Sequence, residues 1–135
     1  MRPTISALRA ATIAAAATLT VFTGPAVASA DGLAGSWRGN GSVVLPSGAT
    51  EKARCRASFS KNGGKTYSMN AVCASSSARV AQTASLEQVG ANRFTGDFTN
   101  SDYGVTGTIH LTLSGNSLSA NLTGGGARAF FNLNR

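Results

Sequence analysis

From residue 33 onward, apolar side chains recur at every second position and clusters of Gly, Asn and Ser interrupt them. This is the pattern of half-buried β-strands separated by turns, and no stretch carries a helical period. Eight runs follow. In the first, Leu33 to Leu45, the residues Leu33, Trp37, Val43 and Leu45 share one parity, and Gly35, Gly39 and Gly41 leave gaps on the same side. The second, Glu51 to Ser60, sets Ala53, Cys55, Ala57 and Phe59 against Lys52, Arg54, Arg56 and Ser58. The third, Lys65 to Ala74, aligns Tyr67, Met69, Ala71 and Cys73, and the fourth, Arg79 to Val89, is weakly patterned. The fifth pairs Phe94 with Phe98 around Gly96. In the sixth, Gly107, Ile109, Leu111 and Leu113 face away from Thr106, Thr108, His110 and Thr112. The seventh sets Leu118, Ala120 and Leu122 against Ser117, Ser119 and Asn121, and the eighth, Ala127 to Leu133, groups Ala129, Phe131 and Leu133.

The links between runs are too short for parallel crossovers, so each run pairs antiparallel with the next. Eight such strands make an up-and-down meander, and closure into a single all-β barrel removes the two exposed edges that a two-sheet sandwich would leave. Glycines at core parity, such as Gly96 and Gly107, suit the bends of a small barrel. An eight-stranded lumen is either filled or just wide enough for one small molecule. The inward set of Trp37, Phe59, Tyr67, Met69, Leu86, Phe94, Phe98, Ile109, Leu111, Leu113, Leu118, Leu122, Phe131 and Leu133, with Val43, predicts a filled one.

The first 30 residues stand apart. Arg2 and Arg9 precede the apolar run Ala10 to Val21, and Ala28-Ser29-Ala30 supplies small residues for cleavage after Ala30. That order is a secretory signal peptide (1–30) ahead of a barrel domain (31–135), which places the mature protein in the periplasm or outside the cell. Nothing after residue 30 approaches the length of a spanning helix, and the alternation lacks the aromatic girdles of a membrane barrel. Removing Arg2 and Arg9 leaves ten basic residues against five acidic ones, a mature charge of +5.

Exported compartments are oxidising, and two cysteines there favour a disulfide. A three-residue loop at Gly63-Gly64-Lys65 makes paired positions of the second and third strands sum to 128, which sets Cys55 directly opposite Cys73. The alternation sends Arg54 and Arg56 to the face opposite Cys55, so they are poorly placed to activate a thiol. Catalysis has little support: His110 is the sole histidine, and Asp31, Glu51, Glu87, Asp97 and Asp102 are scattered without pairing. A general base needs an orienting partner, and a metal needs ligands at set spacing, so no enzyme, cofactor or metal site is expected.

The basic residues are concentrated. Arg38, Lys52, Arg54, Arg56, Lys61 and Lys65 fall between residues 38 and 65. Such a face attracts polyanions, which outside the cytoplasm means an acidic protein, anionic envelope lipid or anionic glycan. Nucleic acid is out of reach, and no aromatics interleave with these charges to stack bases.

At Leu33-Ala34-Gly35-Ser36-Trp37 the chain resembles the opening of calycin-type barrels, whose first strand carries Gly-x-Trp. It is most similar to the small exported inhibitors of bacterial serralysin-type metalloproteases. The likeness rests on Leu33, Gly35 and Trp37, on Cys55 in Cys-Arg-Ala-Ser-Phe, and on Cys73 in Tyr-Ser-Met-Asn-Ala-Val-Cys, within residues 33 to 74. It implies a barrel with Trp37 as its core marker and a disulfide between the second and third strands. It also implies a protease partner met by the N-terminal residues Asp31, Gly32 and Leu33. Three functions are therefore in view. The first is a monomeric, non-enzymatic binding module with a basic face for an anionic partner. The second is a metalloprotease inhibitor acting through its N-terminus, and the third is a carrier of a small apolar ligand in the barrel.

Overall fold

A computed structural model describes residues 14–19 and 32–135; the expected cleavage site after Ala30, and Asp31, lie outside the described residues. Eight strands follow one another: β1 (Gly35–Val44), β2 (Thr50–Gly63), β3 (Thr66–Ser75), β4 (Arg79–Gly90), β5 (Arg93–Asn100), β6 (Val105–Ser114), β7 (Ser117–Gly124) and β8 (Ala127–Asn134). Each pairs antiparallel with the next, and β1 pairs with β8 to close the barrel. The alternation predicted this order because every link is short. Gly124 faces Ala127 across a two-residue turn whose Gly125 and Gly126 both have positive φ, the mirror-image turn that suits the strand twist.

Closure requires close approach as well as pairing. A methyl group on Gly96 would fall on the carbonyl oxygen of Ser85 in β4, so only glycine lets β5 lie so near its neighbour there.

The main differences from expectation each have a local reason. The first run loses Leu33 and Leu45: Leu33 turns inward over the barrel end, and Leu45 opens a turn at Pro46 closed by Leu45 N–H to Ala49 C=O at 2.8 Å. The β2–β3 loop is Gly64-Lys65 with a register shift between Lys61 and Gly63, in place of a three-residue loop. The shift absorbs one residue, so Cys55 still faces Cys73, and the two are disulfide-bonded. The fourth strand is regular, with Val80, Gln82, Ala84, Leu86 and Gln88 on its inward parity; two glutamines among five positions explain why its pattern was weak.

The lumen is filled at one end only, which corrects the expectation of a filled barrel. At the closed end Leu33, Trp37, Tyr67, Ile109, Leu111 and Leu118 are almost wholly buried. Fully burying side chains of this size contributes about 1.5–3 kcal/mol each. The Trp37 indole N–H donates to the Leu33 carbonyl at 2.9 Å, and the Tyr67 and Phe94 rings meet edge to face at 5.2 Å. The Arg135 guanidinium lies 4.6 Å over the Trp37 ring and donates to the Ala34 carbonyl at 3.2 Å, so the C-terminal residue seals the same end. Val43 and Leu113 pack against the core from inside, as expected, and are half-buried.

Candidate functional site

The opposite end is open. There the turns β1–β2, β3–β4, β5–β6 and β7–β8 surround a cavity of about 450 Å³ that enters the lumen. Its walls come from inward positions that carry small or medium side chains, among them Ala53, Val80, Val105, Ala127 and Ala129. Cys73, Gln82, Leu122 and Phe131 line both this cavity and a hollow of about 20 Å³ beneath it, so these four residues form the cavity's floor. The lumen therefore changes character along its axis: closely packed at the sealed end, and lined towards the mouth by several small residues beside Phe98 and Phe131.

Polar groups are few and lie at two levels. At the mouth, the Ser77 hydroxyl lies 2.8 Å from both carboxylate oxygens of Glu51, and Arg128 and the 60%-exposed Tyr103 complete the rim. The Tyr103 loop is tied down at two points. The Tyr103 N–H donates to Asn100 Oδ1 at 3.3 Å, and the Ala81 N–H donates to Asp102 Oδ2 at 3.0 Å. Deeper in, the half-buried Gln82 presents a primary amide to an otherwise apolar floor, and the buried Asn100 presents a second at the base of the Tyr103 loop. Neither was singled out from the sequence. The signal was a polar residue on the inward parity, Gln82 beside Ala84 and Leu86, and Asn100 beside Phe98.

The residues that were singled out divide among three places. Arg38, Lys52, Arg54 and Arg56 are exposed on the outer wall, where Arg38 faces Arg56, Asn40 faces Arg54 and Ser42 faces Lys52. Arg79 extends this wall beyond Ala74, and Arg128 extends it beyond Val44. Lys61 and Lys65 sit apart, at the β2–β3 hairpin by the closed end, with the Lys65 carbonyl accepting from Gln88 N–H at 2.8 Å. The acids Glu87 and Asp97 stand on the far wall, on β4 and β5. His110 is exposed there too, its Nδ1 3.1 Å from Thr95 Oγ1.

The N-terminal segment belongs to the core. Leu33 is fully buried, Gly32 packs so closely that a Cβ on it would lie 3.0 Å from Leu113 Cδ2, and Trp37 is 2% exposed. An arm made of residues 31–33 would have to draw Leu33 out of the closed end before it could enter another protein.

No protein-family model and no curated protein matches the chain. Solved structures do share its fold. The redesigned β-barrel mFAP1, bound to DFHBI, superposes with a TM-score of 0.67 at 16% identity over 78% of this chain and 97% of that one. A fluorescence-activating β-barrel designed de novo gives 0.58 at 16% identity over 76% and 92%. Rv2717c from M. tuberculosis gives 0.57 at 14% identity over 83% and 98%. At these identities the likeness is one of fold.

Proposed function

We propose that the protein is a non-enzymatic, exported binding barrel that takes a small, mainly apolar molecule into the open half of its lumen. The cavity of about 450 Å³ carries this reading, since small-ligand sites run to roughly 300–1,000 Å³ and are lined mostly by apolar groups with a few placed polar ones. Each buried methylene is worth about 0.8 kcal/mol, so keeping Ala53, Ala127 and Ala129 small at inward positions forgoes stability in return for space. Designed barrels of this fold were solved with DFHBI bound, which supports the reading that a barrel of this size can hold a small ligand. Protein purified from its own host should carry an added mass in native mass spectrometry, and the apo form should take up an apolar fluorescent dye. Ala129→Phe, which fills the cavity from β8, should lose the dye and keep its melting temperature within a few degrees. A consistently bare protein that takes up no dye would sink the reading.

A second reading rests on a separate observation. Arg38 stands directly opposite Arg56, and among the described residues neither they nor Lys52 and Arg54 have a hydrogen-bonding or ionic partner. Like charges directly opposite on adjacent strands are destabilising, and an anionic partner would relieve that repulsion. We propose this wall as a contact surface for an acidic protein or for anionic envelope lipid or glycan. Reversing Lys52, Arg54 and Arg56 to Glu should abolish salt-sensitive binding to envelope fractions without lowering the melting temperature. Binding that survives the reversal would remove the wall from consideration.

A further inference from the structure

The two amides inside the cavity carry an inference about what it selects. Gln82 and Asn100 lie on adjacent strands, and the inward pair Ala84 and Phe98 precedes them in register. The strand pairing ends at Thr83 and Thr99, the residues next to Gln82 and Asn100, and both amides line the same cavity. Gln82 is the polar member of the floor, beside the Cys73 sulfur in its disulfide, Leu122 and Phe131, and Asn100 lines the cavity where it holds the Tyr103 loop.

The hydrogen-bonding capacity of these two amides is largely unspent. Asn100 is 8% exposed, and its Oδ1 accepts from the Tyr103 N–H, while its NH₂ has no protein partner among the described residues. Gln82 is half-buried and has no side-chain partner among them at either its carbonyl or its NH₂. Buried polar groups are ordinarily hydrogen-bonded, and leaving a donor unmet is costly. In a cavity of ligand size, the group suited to meet them is a polar atom on the occupant.

We propose that Gln82 and Asn100 are specificity-determining residues, which receive a carbonyl or hydroxyl oxygen at the inner end of an uncharged, otherwise apolar ligand. This rests on the reading of the lumen as a ligand site. The absence of charge follows from the placement of the ionisable groups. Glu51 and Arg128 are at the mouth, and among the cavity-lining residues no charged side chain reaches the floor. A carboxylate carried inward would be desolvated with only amides to receive it, whereas a ketone or alcohol sheds far less hydration. A carboxylate can be held only at the mouth, near Arg128, with its apolar end inward.

Three naphthalene probes of similar size test this on the intact barrel domain: a naphthyl ketone, the matching naphthoate, and an alkylnaphthalene with no polar atom. Binding is measured by calorimetry and by the ketone's hydrogen-bond-sensitive emission. The native protein should bind the ketone about tenfold more tightly than either of the others, the effect of one buried hydrogen bond met or unmet. Gln82→Met, which keeps the length and removes the amide, should erase the ketone's advantage over the alkylnaphthalene and shift its emission to that of an apolar solvent. Asn100→Leu should lower the ketone's advantage in the same direction. If Asn100→Leu unfolds through loss of the Tyr103 contact, Gln82→Met alone decides. A ketone preference unchanged in Gln82→Met overturns the assignment and leaves the lumen as a ligand site. Preference for the naphthoate overturns the claim of an uncharged ligand. If none of the three binds, the lumen reading fails and this inference with it.

Discussion

Single side chains decide how tightly the closed end is sealed. Trp37 donates to the carbonyl of Leu33 and lies beneath Arg135, so Trp37→Phe leaves a buried carbonyl without its donor. That substitution should lower stability by about 1–3 kcal/mol, read as a lower urea midpoint at unchanged m-value. Gly96→Ala should cost about 3 kcal/mol by the same measurement, because its new methyl meets the Ser85 carbonyl and β5 must move away from β4. The place of Trp37 in the core was legible from parity alone. The contact with Arg135 was not, since it exists only because β1 closes on β8 and brings the chain's last residue back to its first strand. Gln82 was hidden for a related reason: an isolated glutamine on a weakly patterned strand reads as noise until its neighbours fix which parity is inward.

At the level of elements, the β2–β3 hairpin is the part most fully written in the sequence. The two cysteines are 18 residues apart and directly opposed, and at 5% and 7% exposure both are shielded. Replacing both by alanine should lower stability by about 3 kcal/mol in the chain-entropy account, measured by thermal unfolding. In the native protein neither should react with an alkylating reagent until reductant is added. The hairpin's register was legible because it follows from position arithmetic. Its turn was not, because a bulge and a three-residue loop keep the same register further along the strands, and only the backbone angles at Gly63 and Gly64 distinguish them. β4 shows the opposite case: a regular strand with an irregular pattern, because its inward Gln82 lies at the cavity floor and its Gln88 donates to the Ala91 carbonyl in the turn at the closed end.

Across the whole molecule, eight short alternating runs were enough to specify a closed meander, since closure is what leaves no strand edge unpaired. The difference between the two ends was not visible, because it depends on where small and large inward residues fall once the strands are staggered around the barrel. That difference should appear in amide hydrogen exchange. Strand amides around the packed Trp37, Tyr67 and Ile109 should exchange more slowly than those of β4 and β5 beside the cavity, in keeping with the denser burial of the closed end. It also has an optical consequence. The chain's single tryptophan is buried at the sealed end under a guanidinium, while the nearest aromatic phenol to the mouth is the exposed Tyr103. Intrinsic indole emission will therefore follow melting of the sealed half and stay flat as a molecule enters the other, so occupancy has to be followed through the guest's own signal.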